Sequence, residues 1–212
     1  MEITKTPDLP SSICLYFFPG TRAARAMWML EELNLPYELS LVDLHQGAHK
    51  HDEYLAIHPL GKVPALKIGD IILFESLAIC LYLADNYPKS ALAPEIATPD
   101  RAEYYKWMAF STGTLEPAII EQSRRRKALE TGTDYIDMGP VLTPFENTMA
   151  YINNILASRP FLVGKNFTAA DIMIGSLLRW ADSMALLSDF GHTKNWLEQL
   201  KQRPAYQRIR EH

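Results

Sequence analysis

The sequence predicts a two-part chain, an α/β segment built on a small mixed sheet followed by an all-α segment. Three observations carry this: a strand-turn-helix signature near the N-terminus, two short apolar runs spaced by Gly69-Asp70, and helical periodicity in every long segment beyond the prolines Pro88, Pro94 and Pro99. At 212 residues the chain fits one large domain or two small ones sharing an interface.

The elements follow in order. Ile13-Cys14-Leu15-Tyr16-Phe17-Phe18 is an apolar run stopped by Pro19-Gly20, the pattern of a buried strand and its turn. Over 21–33 the spacing turns helical, with Ala23, Met27 and Leu30 on one face and Asn34 and Pro36 closing it. Residues 37–44 read as a second strand, and a polar stretch of loop and short helix then leads to His58-Pro59-Leu60-Gly61. The runs 63–68 and 71–74 flank Gly69-Asp70 as a hairpin, and Leu77, Cys80, Leu81 and Ala84 recur at helical intervals. The order β-α-β then β-β-α assigns 1–88 to the first domain, 89–98 to a linker and 99–212 to an all-helical second domain, with helices over 100–129, 140–157 and 169–187. The last of these has an explicit start: Thr168 caps, Asp171 reaches back, and Phe167 is placed to pack on Ile172. Its almost continuous apolar sequence makes it a central helix.

Bulk properties narrow the function. The chain is 48% hydrophobic and 22% charged, without an apolar run of about 18 residues and without a charged-then-apolar leader over 1–12, so a soluble, cytoplasmic protein with no membrane partner is expected. A net charge of −4 gives no global basic field for nucleic acid, and the run Arg124-Arg125-Arg126-Lys127 reads as a solvated helix face. Cys14 and Cys80 sit in apolar segments with no neighbouring Cys or His at ligand spacing, so they read as buried thiols and no metal is expected.

Several pieces together carry a resemblance: Leu15-Tyr16, the helix and exit over 21–37, His58-Pro59-Leu60-Gly61-Lys62-Val63-Pro64-Ala65-Leu66, and Phe74-Glu75-Ser76-Leu77-Ala78-Ile79. With Phe167-Thr168-Ala169-Ala170-Asp171 and the closing Arg203-Pro204-Ala205-Tyr206, the chain resembles the glutathione transferase superfamily over nearly its whole length, in a cytosolic, theta-like or bacterial form. The resemblance implies a thioredoxin-like first domain that binds glutathione and a helical-bundle second domain that holds an apolar co-substrate. It implies a homodimer with a detoxifying transferase activity, glutathione being a substrate and not a resident cofactor.

Residue roles follow from the same resemblance. Glu75-Ser76 suits the zwitterionic γ-glutamyl end of glutathione, because a helix N-terminus and the Ser76 hydroxyl favour a carboxylate while Glu75 meets the ammonium. Val63 is similar to the residue whose backbone pairs with the cysteinyl unit, and the family pattern, not the local sequence, makes Pro64 cis. His49 and Lys62 are assigned to the glycine carboxylate. Thr21 falls where theta-like members place the serine that donates to the glutathione thiolate, although a threonine there is also an ordinary helix cap. Arg22 lies where beta-class relatives carry a cysteine and is the reserve candidate for lowering the thiol pKa. Tyr16 reads as packing, and Arg25 as a structural ion-pair donor. Because neither Thr21 nor Arg22 is a cysteine, mixed-disulfide chemistry of the glutaredoxin or omega kind lacks its nucleophile in the usual place, which disfavours a thiol-disulfide reductase. Trp107 and Ser111 are the candidates for the second-substrate pocket. The activity expected is conjugation of the glutathione thiolate to small hydrophobic electrophiles; the alternatives are a peroxidase, an isomerase, or a non-catalytic glutathione-binding or assembly module.

Overall fold

A computed structural model describes residues 12–134 and 143–209. The described chain divides into two compact units, one holding residues up to Ala93 together with those from Arg203 on, the other running from Pro94 to Gln202.

The first unit has a thioredoxin-like arrangement. Strand β1 (Ile13–Phe17), helix α1 (Ala23–Glu32) and strand β2 (Glu38–Leu41) form a parallel crossover, with Phe17 opposite Leu41. Helix α2 (Asp52–Leu55) is a single turn, preceded by a short 3-10 turn at Ala48–Lys50. Strands β3 (Ala65–Ile68) and β4 (Ile71–Phe74) form the expected hairpin with Ile68 opposite Ile71, and helix α3 (Ser76–Asn86) follows. The sheet order is β2-β1-β3-β4, with β3 antiparallel to both neighbours. Strand period places Ile13 and Leu15 on a buried face, Leu15 opposite Leu66; α1 packs on β1 and on α3, and Ala26, Met29 and Leu30 of α1 and Ile79 and Leu83 of α3 are buried. Strand β3 starts at Ala65, two residues later than the apolar run suggests, because Pro64 has no N–H to give a ladder.

Helix α9 (Pro204–Arg208) also belongs here, where the sequence reading had put 99–212 wholly in the helical domain. The reason is chemical. Arg203 donates through Nε and Nη2 to the two carboxylate oxygens of Glu32 at 2.7 and 2.8 Å, Arg208 bonds Glu31, and Tyr206 lies edge-on to Trp28 at 4.9 Å. A bidentate pair and a buried aromatic contact bind the segment to α1.

The second unit is helical: α4 (Pro99–Phe110), α5 (Glu116–Thr131), α6 (Phe145–Leu156), α7 (Ala169–Ser183) and α8 (Gly191–Lys201). The sequence reading starts α6 at Pro140, which lies outside the described residues. The expected helix over 100–129 is interrupted by a π turn at Ser111–Leu115. Pro117 explains it: with no N–H, it leaves the Gly113 carbonyl without its i+4 donor, and the wider turn absorbs the mismatch. Helix α7 is buried without a break from Ala169 to Gly175. The Asp171 carboxylate accepts from Leu162 N and Thr168 N at 2.9 and 2.8 Å, completing the capping box, while Phe167 lies edge-on to Phe161.

Candidate functional site

Strand registers decide what can meet. Tyr16 stands opposite Ala65 and Ala65 opposite Phe74, so the end of β1, the start of β3 and the end of β4 lie at one end of the sheet. Because β2 runs parallel to β1, the loop after Leu41 leaves from that end too. The turn before Thr21, the Val63–Pro64 bond, the Glu75-Ser76 step and the loop carrying His49 are therefore gathered along one rim, with the N-termini of α1 and α3 beside them. Both helices point the positive end of their dipoles at this rim, the first N–H groups of α1 being bonded to Thr21 and Arg22.

Each residue has a definite place there. The Val63–Pro64 bond is cis, with Pro64 buried and Val63 half-buried. Tyr54 of α2 donates its hydroxyl to the Lys62 carbonyl at 2.6 Å, fixing the strand entry, and burial pushes its phenol up to about 12. The Lys62 side chain is exposed. His49 sits in the 3-10 turn with Nδ1 buried and, among the described residues, unbonded. Gly61 packs against that turn at φ +58, and a Cβ there would come within 2.5 Å of the His49 carbonyl oxygen. So Gly61 is what allows the Lys62 and His49 segments to touch. Phe18 and His45 meet edge-on at 5.0 Å, tying the same loop to the turn before Thr21.

Glu75 caps α3 with φ +68, a conformation L-residues rarely adopt, and its side chain is exposed. Ser76 is buried, and its Oγ accepts a hydrogen bond from Arg25 Nη1 at 3.1 Å. A serine hydroxyl is thus among the partners of Arg25. His58 is buried against the Phe74 ring; burial lowers its pKa, and its Nδ1 accepts from Leu60 N–H. Tyr54, His58 and Gly61 shape the rim without having been singled out for it in the sequence. For His58 and Gly61 the signal was the His58-to-Pro64 motif itself, read there for its lysine, valine and proline.

Thr21 Oγ1 donates to the Phe18 carbonyl at 2.7 Å and accepts from Ala23 N–H at 3.3 Å. This is the geometry of a turn and helix cap. Arg22 is exposed at the N-cap of α1. Tyr16 packs near Tyr54, and burial raises its phenol pKa. Burial also raises both thiols, Cys80 to about 12, so neither is prepared as a thiolate nucleophile.

In the helical unit Trp107 and Ser111 are fully buried. Trp107 stacks on Tyr151 and donates Nε1 to Glu103, and the Ser111 hydroxyl turns back to the Met108 carbonyl at 2.6 Å. The basic run lies exposed along α5, with Arg125 paired to Glu121 and Arg126 to Glu130. Among the described residues, no helix is long and apolar enough to cross a membrane, and no cluster of three or more His, Cys, Asp or Glu could hold a metal ion.

Comparison with known proteins agrees with this architecture. Residues 11–85 match the model of the glutathione S-transferase N-terminal domain and residues 118–212 that of its C-terminal domain. The chain is 32% identical over 202 residues to the disulfide-bond oxidoreductase YfcG of Escherichia coli (strain K12), covering 91% of this chain and 92% of that protein. It is 32% identical over 160 residues to glutathione S-transferase theta-2 of Homo sapiens, covering 72% and 65%. A crystal structure of a glutathione transferase family member of Pseudomonas fluorescens pf-5, with two glutathione bound, superposes with a TM-score of 0.80 at 27% identity, covering 96% of this chain and 94% of that one. With both domain models matched in order along a sheet-and-helix unit and a helical unit, the chain belongs to the glutathione S-transferase family.

Proposed function

We propose that the chain binds glutathione along the rim described above and conjugates its thiolate to small hydrophobic electrophiles, as a cytoplasmic, homodimeric detoxifying enzyme. The observation that carries this reading is the gathering of two helix N-termini, the Ser76 hydroxyl and the Val63 backbone at one end of the sheet. In it, Ser76 and the start of α3 take the γ-glutamyl carboxylate, Glu75 the ammonium, Val63 the cysteinyl backbone, and His49 with Lys62 the glycine carboxylate. The sulfur then lies toward α1. There Thr21 would transfer its hydrogen bond from the neutral Phe18 carbonyl to the thiolate, a better acceptor because it is charged, with Arg22 in reserve. The burial of Trp107 and Ser111 weighs against those two as walls of the electrophile site. Ile72 and Phe74, on one face of the edge strand β4, are exposed apolar side chains of the kind a second copy covers.

Calorimetric titration with reduced glutathione, followed by a chromogenic aryl-halide assay, tests the proposal. Binding with turnover is expected. Binding without turnover on aryl halides, peroxides, isomerisable substrates or disulfides would make the chain a glutathione-binding module, and absence of binding would sink the reading.

A second reading has its own support, the resemblance to a disulfide-bond oxidoreductase. With both protein thiols raised by burial, disulfide exchange would run through glutathione alone. One glutathione thiolate attacks the disulfide and expels a thiolate; a second attacks the resulting mixed disulfide, releasing the other thiolate and oxidised glutathione. Turnover of a small dialkyl disulfide that persists in the Cys14→Ser, Cys80→Ala double variant would favour this reading over conjugation.

A further inference from the structure

Arg25 is 3% exposed in the middle of an otherwise apolar helix face. A guanidinium is costly to bury unless its charge and its donors are used. One use is clear: Nη1 donates to Ser76 Oγ at 3.1 Å, joining α1 to the first residue of α3. The next turn of α3 reaches the same residue, the Cys80 thiol lying 3.9 Å from the Arg25 carbonyl. The two helices are therefore held in register at this point.

The direction of the hydrogen bond matters more than its length. Guanidinium has only donors, so Ser76 Oγ must be the acceptor, and a hydroxyl that accepts from one side keeps its own proton for another. Among the described residues, Glu75 contributes no side-chain cap bond to α3, so the first N–H groups of that helix face the same region as the Ser76 proton. We infer that Arg25 is a positioning residue for the γ-glutamyl carboxylate of glutathione: it fixes the Ser76 hydroxyl as a donor to the ligand and does not touch the ligand itself. The inference rests on the reading that Ser76 binds glutathione.

The test is a double-mutant cycle with reduced glutathione as the probe, comparing wild type, Arg25→Gln, Ser76→Ala and the double variant by calorimetry, with thermal midpoints measured alongside. Ser76→Ala and Arg25→Gln should each raise Kd about tenfold, the scale of one charge-assisted hydrogen bond. The double variant should bind within about twofold of Ser76→Ala, because Arg25 acts only through that hydroxyl. Arg25→Lys, which keeps a charged donor without the planar fork, should fall between wild type and Arg25→Gln. The loss should appear in KM for glutathione more than in kcat. If Ser76→Ala leaves Kd unchanged, the underlying assignment of Ser76 fails and the inference with it. If Ser76→Ala weakens binding while Arg25→Gln does not, or if the two effects multiply, Ser76 stands and Arg25 is only a brace between helices. A brace would lower the thermal midpoint equally in both serine and alanine backgrounds. Should Arg25→Gln not fold, the cycle with Arg25→Lys decides by the same criterion.

Discussion

The Thr21 hydroxyl has a single proton, and the Phe18 carbonyl holds it at 2.7 Å. If that proton moves to a bound thiolate, Thr21→Val keeps the shape, removes the donor and raises the thiol pKa of the complex by about one unit, equivalent to about 1.4 kcal/mol. Turnover well below that pKa then falls about tenfold while glutathione affinity changes little; an unmoved titration midpoint, read by thiolate absorbance, would pass the role to Arg22 or to the helix field. Gly61 allows an equally local prediction. A methyl there meets the His49 carbonyl oxygen, which is backbone and has no easy way to retreat. Gly61→Ala should cost about 2 kcal/mol or more, since the positive φ is also unfavourable for alanine, and denaturant titration would read it. Neither Gly61's contact nor Arg25's bond to Ser76 was legible in the sequence, because both join residues well separated along the chain, whereas the helix start at Glu75-Ser76 is local and could be read.

Elements were legible where local chemistry and burial agree. The β3-β4 hairpin and α3 follow from apolar periodicity punctuated by Gly69-Asp70 and Ser76, and the start of α7 follows from Thr168 and Asp171. The π turn was not, because it answers to Pro117's missing donor and not to any periodicity, and α8, though amphipathic, lacks a strong start signal at Phe190-Gly191. The Asp171 carboxyl carries the element-scale prediction. Burial raises its pKa from 3.8 to about 7, while the hydrogen bonds from Leu162 and Thr168 pull it back. Between those values the folded chain keeps a proton that the unfolded chain has released, so this group's contribution is largest below about pH 4 and declines as pH rises toward 7. Wild type should therefore lose stability relative to Asp171→Asn between pH 5 and pH 7 in urea titrations; a pH-independent difference would show the carboxylate already ionised. Asp171→Ala, which strands two backbone donors, should cost about 2–4 kcal/mol at either pH.

On the scale of the whole molecule, the edge strand β4 predicts association. Sedimentation at micromolar concentration should give twice the chain mass, and Ile72→Lys on the exposed face should shift it toward the monomer; a monomeric wild type would remove the homodimer from the proposal. The fold class was readable from the sequence because a mixed sheet and a helical segment have different periods. The affiliation of α9 was not, since a short helix beginning Arg203-Pro204 reads the same whichever unit receives it.

That affiliation has a consequence for how the protein is made. Helix α1 carries the turn of Thr21 at its N-terminal end and, at its C-terminal end, the Glu31 and Glu32 carboxylates that receive Arg208 and Arg203. As the chain leaves the ribosome, 109 residues of the helical unit, Pro94 to Gln202, emerge between α1 and the segment that braces it. The nascent sheet-bearing unit thus waits, unbraced, while the later-made unit is already complete in sequence, reversing the usual N-terminus-first order of domain completion. Translation arrested just after Gln202 should yield a chain whose helical unit resists protease while its α1 is cleaved, and resumption through Ile209 should restore protection to α1.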